Sequence, residues 1–229
     1  MEVSKPIGRC SPALLALAAV LAFTQPAYAL DPVFVDNAYR PQRGDMDMAP
    51  RYCMYTQLFR GVVPGGNNQA EIDRWESLMG ETFIHMHHYC AALIETNRAL
   101  FASRSRKERL FYLDHSIYEF DYIIRNATPD FKLLPEIFTK KGENLIRLDK
   151  GAQGIAELQR AIVLKPDYWP PYAYISDYFK EAGDIASARE WLEKGLSASP
   201  NTKALTQRLE ELDTPQKKRK NDPQPPAER

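Results

Sequence analysis

The sequence predicts an all-α protein, a stack of antiparallel helix hairpins closed by a C-terminal helix. Apolar residues recur at intervals of three and four through most of the chain, which is the spacing of a helical stripe. A segment also recurs after 34 residues: positions 152–166 read AQGIAELQRAIVLKP, and positions 186–200 read ASAREWLEKGLSASP. A fixed period of this length is typical of stacked helix pairs. The 229 residues, 44% of them hydrophobic, are sufficient for one such core.

The N-terminus has the pattern of a secretory signal peptide over residues 1–29. Lys5 and Arg9 precede a short apolar stretch, PALLALAAVLAF, and the tripeptide AYA supplies the small residues of a cleavage site. We therefore expect an exported protein, periplasmic or secreted, whose mature chain starts near Leu30. No later apolar run reaches the length that a membrane-spanning helix needs, so we expect no transmembrane segment in the mature chain.

Residues 30–69 are predicted to form an N-terminal arm with one short helix, because proline and glycine interrupt most of the segment. Cleavage of the signal peptide removes Cys10, which leaves Cys53 and Cys90 in the mature chain. An even pair in an oxidising compartment predicts a disulfide, closing a loop of 37 residues. Two buried free thiols are the alternative, since free cysteine is one of the most buried residue types.

Residues 70–131 are predicted to form a divergent helical hairpin. Apolar side chains trace one stripe over residues 70–101, which predicts a single long helix, and another over residues 108–125. The polar segment SRSRK separates the two helices, and such a short turn is typical of a hairpin. The motif SIYEF at 116–120 parallels GIAEL, 38 residues later, so this hairpin is interpreted as a third, degenerate unit.

Residues 132–213 contain two clean repeats and the closing helix. Pro166 and Pro200 stop the second helix of each repeat, because proline cannot continue a helix interior. Small residues recur where the helices cross, and they are Gly142, Gly154, Ala161, Ser176, Ala188 and Gly195. The predicted helices span 135–148, 150–164, 169–182, 184–198 and 202–212. Residues 214–229 have almost no apolar side chains and are predicted to be a disordered basic tail.

These positions resemble the tetratricopeptide repeat (TPR) family, and the chain looks like an exported bacterial TPR protein. The family's unit has aromatic residues near its start, small crossing residues, a turn glycine and a terminal proline. In the second repeat, Tyr172, Phe179 and Gly183 supply the aromatic and turn positions. The first repeat departs at Leu145, where an aromatic is usual, and at Asp149, where glycine is usual.

The resemblance implies a non-catalytic interaction module that binds a peptide or protein segment in a concave groove lined by first helices. Glu143 and Asp177 stand where one TPR subclass uses asparagines to clamp a C-terminal carboxylate, so we do not expect that specialisation. The mixed charge instead suits a basic or mixed segment. The alternative is that this face contacts other parts of the same chain. The implied groove residues are Glu136, Thr139, Glu143, Arg147, Ala173, Asp177, Lys180 and Glu181.

A histidine cluster supports an alternative function, a metal- or haem-binding protein. The segment FIHMHHYC at 83–90 holds three of the four histidines. On a helix these residues form two neighbouring pairs that point away from each other, so each pair needs ligands from elsewhere. The simpler interpretation is that the histidines hydrogen-bond between helices or face solvent. The candidate ligands are His85, His87, His88 and His115, with zinc, copper or haem as the bound group.

Other chemistry is absent from the sequence. It has no phosphate-binding loop, no dinucleotide glycine motif and no nucleophile elbow, and its acids are scattered. We therefore expect no catalytic site and no cofactor. The formal net charge is zero, which gives no general attraction to nucleic acid, although the tail carries the run KKRK at 217–220.

Overall fold

A computed structural model describes residue 41 and residues 44–213, and this part of the chain is all-α, without a strand. The predicted signal peptide, the first part of the predicted arm and the predicted basic tail lie outside the described residues. Within the described ranges, no helix is both long and apolar enough to span a bilayer. The α-helices are α1 Gln69–Met79, α2 Met86–Asn97, α3 Arg106–Asn126, α4 Leu134–Arg147, α5 Gly151–Leu164, α6 Pro170–Glu181, α7 Ile185–Ala198 and α8 Lys203–Asp213. Short 3-10 helices span Asp45–Asp47, Arg51–Tyr55 and Gly80–His85, and a π-helical turn spans Arg98–Ala102.

The long helix predicted over residues 70–101 is interrupted in the structure. Gly80 has a φ of 62° and ends α1. A residue with positive φ cannot continue a right-handed helix, so the axis breaks although the apolar stripe continues. A 3-10 helix connects this break to α2, and the π-helical turn then closes the C-terminal end of α2.

Side chains at the N-termini explain where several helices begin. Ser105 Oγ accepts a hydrogen bond from the Glu108 amide at 3.1 Å, and Asp184 Oδ1 accepts one from the Ser187 amide at 3.0 Å. The helices α4 and α6 instead carry proline in the first turn, where its fixed φ is favourable. From α3 onward, every helix lies within two residues of its predicted bounds.

Consecutive helices pack as hairpins. Helix α2 packs on α3, α4 on α5, and α6 on α7, and α8 packs against α7 as a closing helix. Helix α4 also contacts α6, and α6 contacts α8, so the first helices of successive hairpins are neighbours. We call the surface formed by α2, α4, α6 and α8 the first-helix face, and the surface formed by α3, α5 and α7 the second-helix face.

Glycine allows α4 and α5 to cross closely. A Cβ on Gly142 would lie 2.8 Å from the backbone oxygen of Gly154, and a Cβ on Gly154 would lie 2.7 Å from that of Gly142. Carbon and oxygen atoms do not pack this closely, so any larger residue would push the helices apart. Gly195 is enclosed in the same way, because its Cβ would lie 2.8 Å from Leu205 and 2.9 Å from Tyr172. Three of the small residues predicted at the crossings therefore lie at tight contacts.

The buried apolar side chains of the described residues form four clusters, and two of them lie between successive hairpins or against the closing helix. Tyr89, Phe120 and Ile137 are fully buried where the hairpin α2–α3 meets α4. Leu192 and Leu205 are fully buried where α7 meets the closing helix. These cores hold each first helix against its neighbours, which fixes the side chains on the first-helix face.

Candidate functional site

The predicted disulfide between Cys53 and Cys90 is present. The sulfur atoms lie 2.06 Å apart, the Cα atoms lie 5.6 Å apart, and both residues are fully buried. These distances are normal for a disulfide. The bond ties the 3-10 helix Arg51–Tyr55 to α2, and it removes Cys90 from any set of metal ligands.

Side-chain contacts connect each first helix to the next across the first-helix face. Tyr89 Oη of α2 donates a hydrogen bond to Glu136 Oε1 of α4 at 2.6 Å. Tyr174 of α6 lies close to Glu143 of α4, and burial and then the charge of Glu143 raise the pKa of Tyr174. Because the same type of contact recurs at each step, the face carries a continuous strip of acidic, phenolic and basic groups.

The closing helix continues this strip. Arg208 Nε of α8 lies 3.2 Å from Asp177 Oδ2 of α6, and Lys180 Nζ lies 3.5 Å from Glu211 Oε2. These side chains are partly exposed, so each pair contributes at most about 1 kcal/mol to stability. The predicted groove residues Asp177 and Lys180 are therefore paired within the chain, as the alternative interpretation of this face expected.

Glu143 and Arg147 form the most connected part of the strip. Arg147 Nη2 lies 2.5 Å from Glu143 Oε1, and Lys140 Nζ lies 3.6 Å from Glu143 Oε2. Two predicted groove residues differ from expectation: Thr139 and Ala173 are only 1% and 2% exposed. Thr139 Oγ1 donates to the backbone oxygen of its own helix at Pro135, as buried hydroxyls commonly do, so neither side chain lines an open groove.

Glu136 and Glu181 are the predicted groove acids without an ion pair in the described part of the chain. Glu181 is exposed at the C-terminal end of α6. Glu136 is partly exposed and accepts the hydrogen bond from Tyr89 Oη. Burial and then the charge of Glu136 raise the pKa of Tyr168 to about 12, and the same two causes raise the pKa of Tyr52 and Tyr89.

The predicted metal ligands do not converge. In the described ranges, no three His, Cys, Asp or Glu side chains are arranged to hold a metal ion. His87 Nδ1 lies 2.9 Å from the backbone oxygen of Ile84. The rings of His88 and His85 instead lie against Tyr122 of α3, with centroids 3.5 Å and 5.8 Å away. His85, in the 3-10 helix before α2, and His88, in α2, therefore face a neighbouring helix, as the simpler interpretation expects. His87 instead bonds the backbone of its own segment and not another helix.

Two fully buried acids pair with histidines across the hairpin α2–α3. His115 Nδ1 lies 2.6 Å from Glu95 Oε1, and His88 Nδ1 lies 2.5 Å from Glu119 Oε2. Burial raises the pKa of Glu95 to about 7, against the opposing hydrogen bond and charge of His115. Burial lowers the pKa of His115, but its hydrogen bond with Glu95 and the nearby acids outweigh this effect and raise it. The Glu95–His115 pair therefore holds a proton to higher pH than the same groups in the unfolded chain.

A buried polar network extends from this hairpin to α4. Asn144 Nδ2 donates to Thr96 Oγ1 at 2.6 Å and to Ser116 Oγ at 2.9 Å. Glu95 Oε2 is also buried, and it has no hydrogen-bond partner among the residues that the structure describes. Sequence reasoning missed this network, although Glu95 lies within the apolar stripe of its helix and seven residues after His88.

No model of a known protein family matches this chain, and no curated protein matches it. The resemblance to TPR proteins therefore rests on the residues and spacing of the two repeats.

Proposed function

We propose that this protein is an exported, non-catalytic, TPR-like interaction module that binds a peptide or protein segment on its first-helix face. The observation that carries the proposal is the strip of contacts that joins successive first helices through Tyr89–Glu136, Glu143–Tyr174 and Asp177–Arg208. This strip holds its side chains in defined positions. Preorganised groups lose less conformational entropy when a partner binds.

The exposed charged side chains of the first-helix face favour a partner with basic groups. The basic side chains of the strip are paired with acids of the chain, which leaves Glu136 and Glu181 as the acids that a partner meets. Tyr168, near Glu136, and Tyr174, near Glu143, are also partly exposed. Tyrosine is enriched among residues that dominate binding energy, so these rings are the expected anchors.

The disulfide supports the proposed export. Disulfides persist in oxidising compartments and are rare in the cytosol of most organisms. The Cys53–Cys90 bond is therefore the observation in the described residues that agrees with a signal peptide at residues 1–29.

Charge reversal on the face tests the proposal. We expect the double variant Glu143→Lys, Asp177→Lys to lose capture of the partner in a cross-linking pull-down from native envelope. Because both acids also make contacts within the chain, thermal unfolding of the variant must be measured beside wild type. Glu181→Lys gives a second test that leaves these contacts intact. Glu190→Lys, on the second-helix face, is the control, and because it breaks an exposed ion pair with Lys194 its thermal unfolding is measured as well.

The expected result is weaker capture for both first-helix variants and unchanged capture for Glu190→Lys. Unchanged capture in a folded double variant, or equal losses for Glu181→Lys and Glu190→Lys, would remove the first-helix face as the binding surface.

A further inference from the structure

We propose that the cleft between α1 and the loop that joins α3 to α4, together with Glu136, binds a peptide segment in which an aliphatic side chain is followed by Lys or Arg. The inference rests on the proposed function, and it specifies the chemistry of the partner. Each half of the site is seen in the structure: an open apolar cleft and an acid without an ion pair.

The cleft has a volume of about 620 Å³, enough for one or two aliphatic side chains. Its walls come from the 3-10 helix Arg51–Tyr55, the end of α1 and the loop before α4. Leu78 on one wall is 63% exposed, although it is a large apolar residue. The apolar and aromatic lining residues are Tyr52, Trp75, Leu78, Met79, Phe131 and Leu133.

Tyr52 joins the cleft to Glu136. Its ring lies 5.4 Å from the ring of Trp75, inside the cleft, and the charge of Glu136 contributes to raising its pKa. Glu136 lies in the first turn of α4, directly after the loop that forms the opposite wall. Leu133 of that wall and Glu136 are one helical turn apart, so we expect neighbouring side chains of a bound segment to meet the cleft and the carboxylate.

The charges around the site favour a cation. Glu81 and Asp130 lie at the rim of the cleft, and Lys132 is the one basic side chain in its lining. Arg74 lies over the ring of Trp75 at 5.2 Å, but its charge is paired with Glu71 at 3.4 Å. With Glu136 included, the acids outnumber the unpaired base.

Glu136 has the surroundings of a site for an ammonium or guanidinium group. Tyr89 Oη hydrogen-bonds one of its oxygens, and Tyr168 is a second, half-buried ring within range of its charge. Aromatic faces attract cations, and a carboxylate beside them adds a charge-assisted hydrogen bond. A lysine or arginine side chain satisfies both groups at once, whereas a neutral or acidic side chain does not.

The test uses the mature chain with its disulfide intact and short blocked peptides. Uniform ¹⁵N labelling gives one indole N–H signal for each of the three tryptophans, and Trp75→Phe assigns the signal that reports on the cleft. The probes are acetyl-Gly-Leu-Lys-Gly-amide and its Arg, Gln and Glu counterparts at the third position. We expect the Lys and Arg peptides to shift the Trp75 signal in a saturable way, and the Gln and Glu peptides to bind at least roughly five-fold more weakly.

Glu136→Gln is the matched variant, because the amide oxygen still accepts the hydrogen bond of Tyr89 while the charge is removed. We expect this variant to bind the Lys peptide roughly five-fold more weakly than wild type does, and to bind the Gln peptide with unchanged affinity. Glu76 is an exposed acid on α1 outside the cleft lining, so Glu76→Gln should leave the affinity for both peptides unchanged. The inference would be overturned if none of the four peptides shifted the Trp75 signal, or if the Lys peptide bound equally well to wild type and Glu136→Gln.

The two proposals fail separately. If Glu181→Lys reduces partner capture while no peptide shifts the Trp75 signal, the first-helix face binds the partner and the cleft inference is wrong. If the Trp75 signal responds as expected while first-helix variants capture the partner normally, the cleft binds basic segments and the proposed extent of the binding face is wrong.

Discussion

The helices of the hairpin α2–α3 and those of the hairpin α4–α5 are held together by different kinds of contact. Gly142 and Gly154 bring α4 and α5 together through direct backbone contact. The hairpin α2–α3 instead places two buried glutamates between its helices, each paired with a histidine, and is tied to the preceding segment by a disulfide. Small residues at crossings leave a regular period in the sequence, whereas pairwise polar contacts do not. This difference explains why a 34-residue period is visible in the sequence of the later hairpins and not in that of the hairpin α2–α3.

The disulfide should have the largest effect in this comparison. Replacing both cysteines, Cys53→Ser with Cys90→Ser, should lower the free energy of unfolding by about 3–4 kcal/mol, because the bond closes a loop of 37 residues in the unfolded chain. Urea denaturation of the oxidised protein and the variant measures the difference. Reduced wild type is the control and should behave like the variant; equal midpoints for all three would show that the bond does not stabilise the hairpin.

Adding a side chain at the glycine crossing should destabilise the protein less than removing the disulfide. Gly142→Ala should destabilise the protein by about 1–3 kcal/mol, since its Cβ would meet the backbone of Gly154 and the side chain of Leu158 at 2.8 Å. Gly61→Ala is the matched control, because no atom lies within 4 Å of its added Cβ. Comparable thermal midpoints for the two variants would contradict the close crossing.

The acid–histidine pair should make the hairpin α2–α3 sensitive to pH. The pKa of Glu95 rises from an ordinary 4.5 to about 7 on folding, so its contribution is complete below about pH 4.5 and is lost as the pH rises through 7. The raised pKa of His115 acts in the same direction. We expect the stability to fall by about 1–3 kcal/mol between pH 5 and pH 8 through this pair.

Glu95→Gln isolates this effect, because an amide does not titrate. Chemical denaturation at several pH values should give a shallower slope for Glu95→Gln than for wild type. The exposed acid Glu76 provides the control, and Glu76→Gln should keep the wild-type slope. A slope that Glu95→Gln leaves unchanged would place the pH dependence in other groups.

The turns of the two clean repeats give the smallest expected effect. Gly183 has a φ of 81° in the second repeat, and Asp149 has a φ of 60° at the corresponding place in the first. A non-glycine residue with positive φ is strained, so Asp149→Gly should stabilise the protein by up to about 1 kcal/mol. Gly183→Ala should destabilise it by a similar amount. If the midpoint of thermal unfolding shifted in the same direction for both variants, this account of the turns would be contradicted.

The regular part of the fold could be predicted from the sequence because each signal is local. Pro166 and Pro200 end the second helices, and the small residues recur at a 34-residue step, so these signals need no knowledge of distant contacts. The break at Gly80 was harder to predict, since glycine is tolerated within helices and only its positive φ shows the interruption.

The candidate site was predictable only in outline. The first-helix positions follow from the repeat, but the burial of Thr139 and the pairing of Asp177 with Arg208 depend on how α4 and α8 pack. The partners of His88 and His115 are buried acids on the facing helix, 31 and 20 residues away in sequence. No spacing rule connects such residues, so the sequence alone leaves both metal ligation and hydrogen bonding between helices open for this cluster.

Site-specific photo-crosslinking tests the central claim, that the first-helix face carries the binding surface, most directly. A photoreactive amino acid replaces Glu181, exposed on the first-helix face, or Glu190, exposed on the second-helix face, and native envelope is irradiated. We predict a discrete adduct from position 181 that disappears in the Glu143→Lys, Asp177→Lys background, and no adduct from position 190. An adduct from position 190 alone would contradict the account.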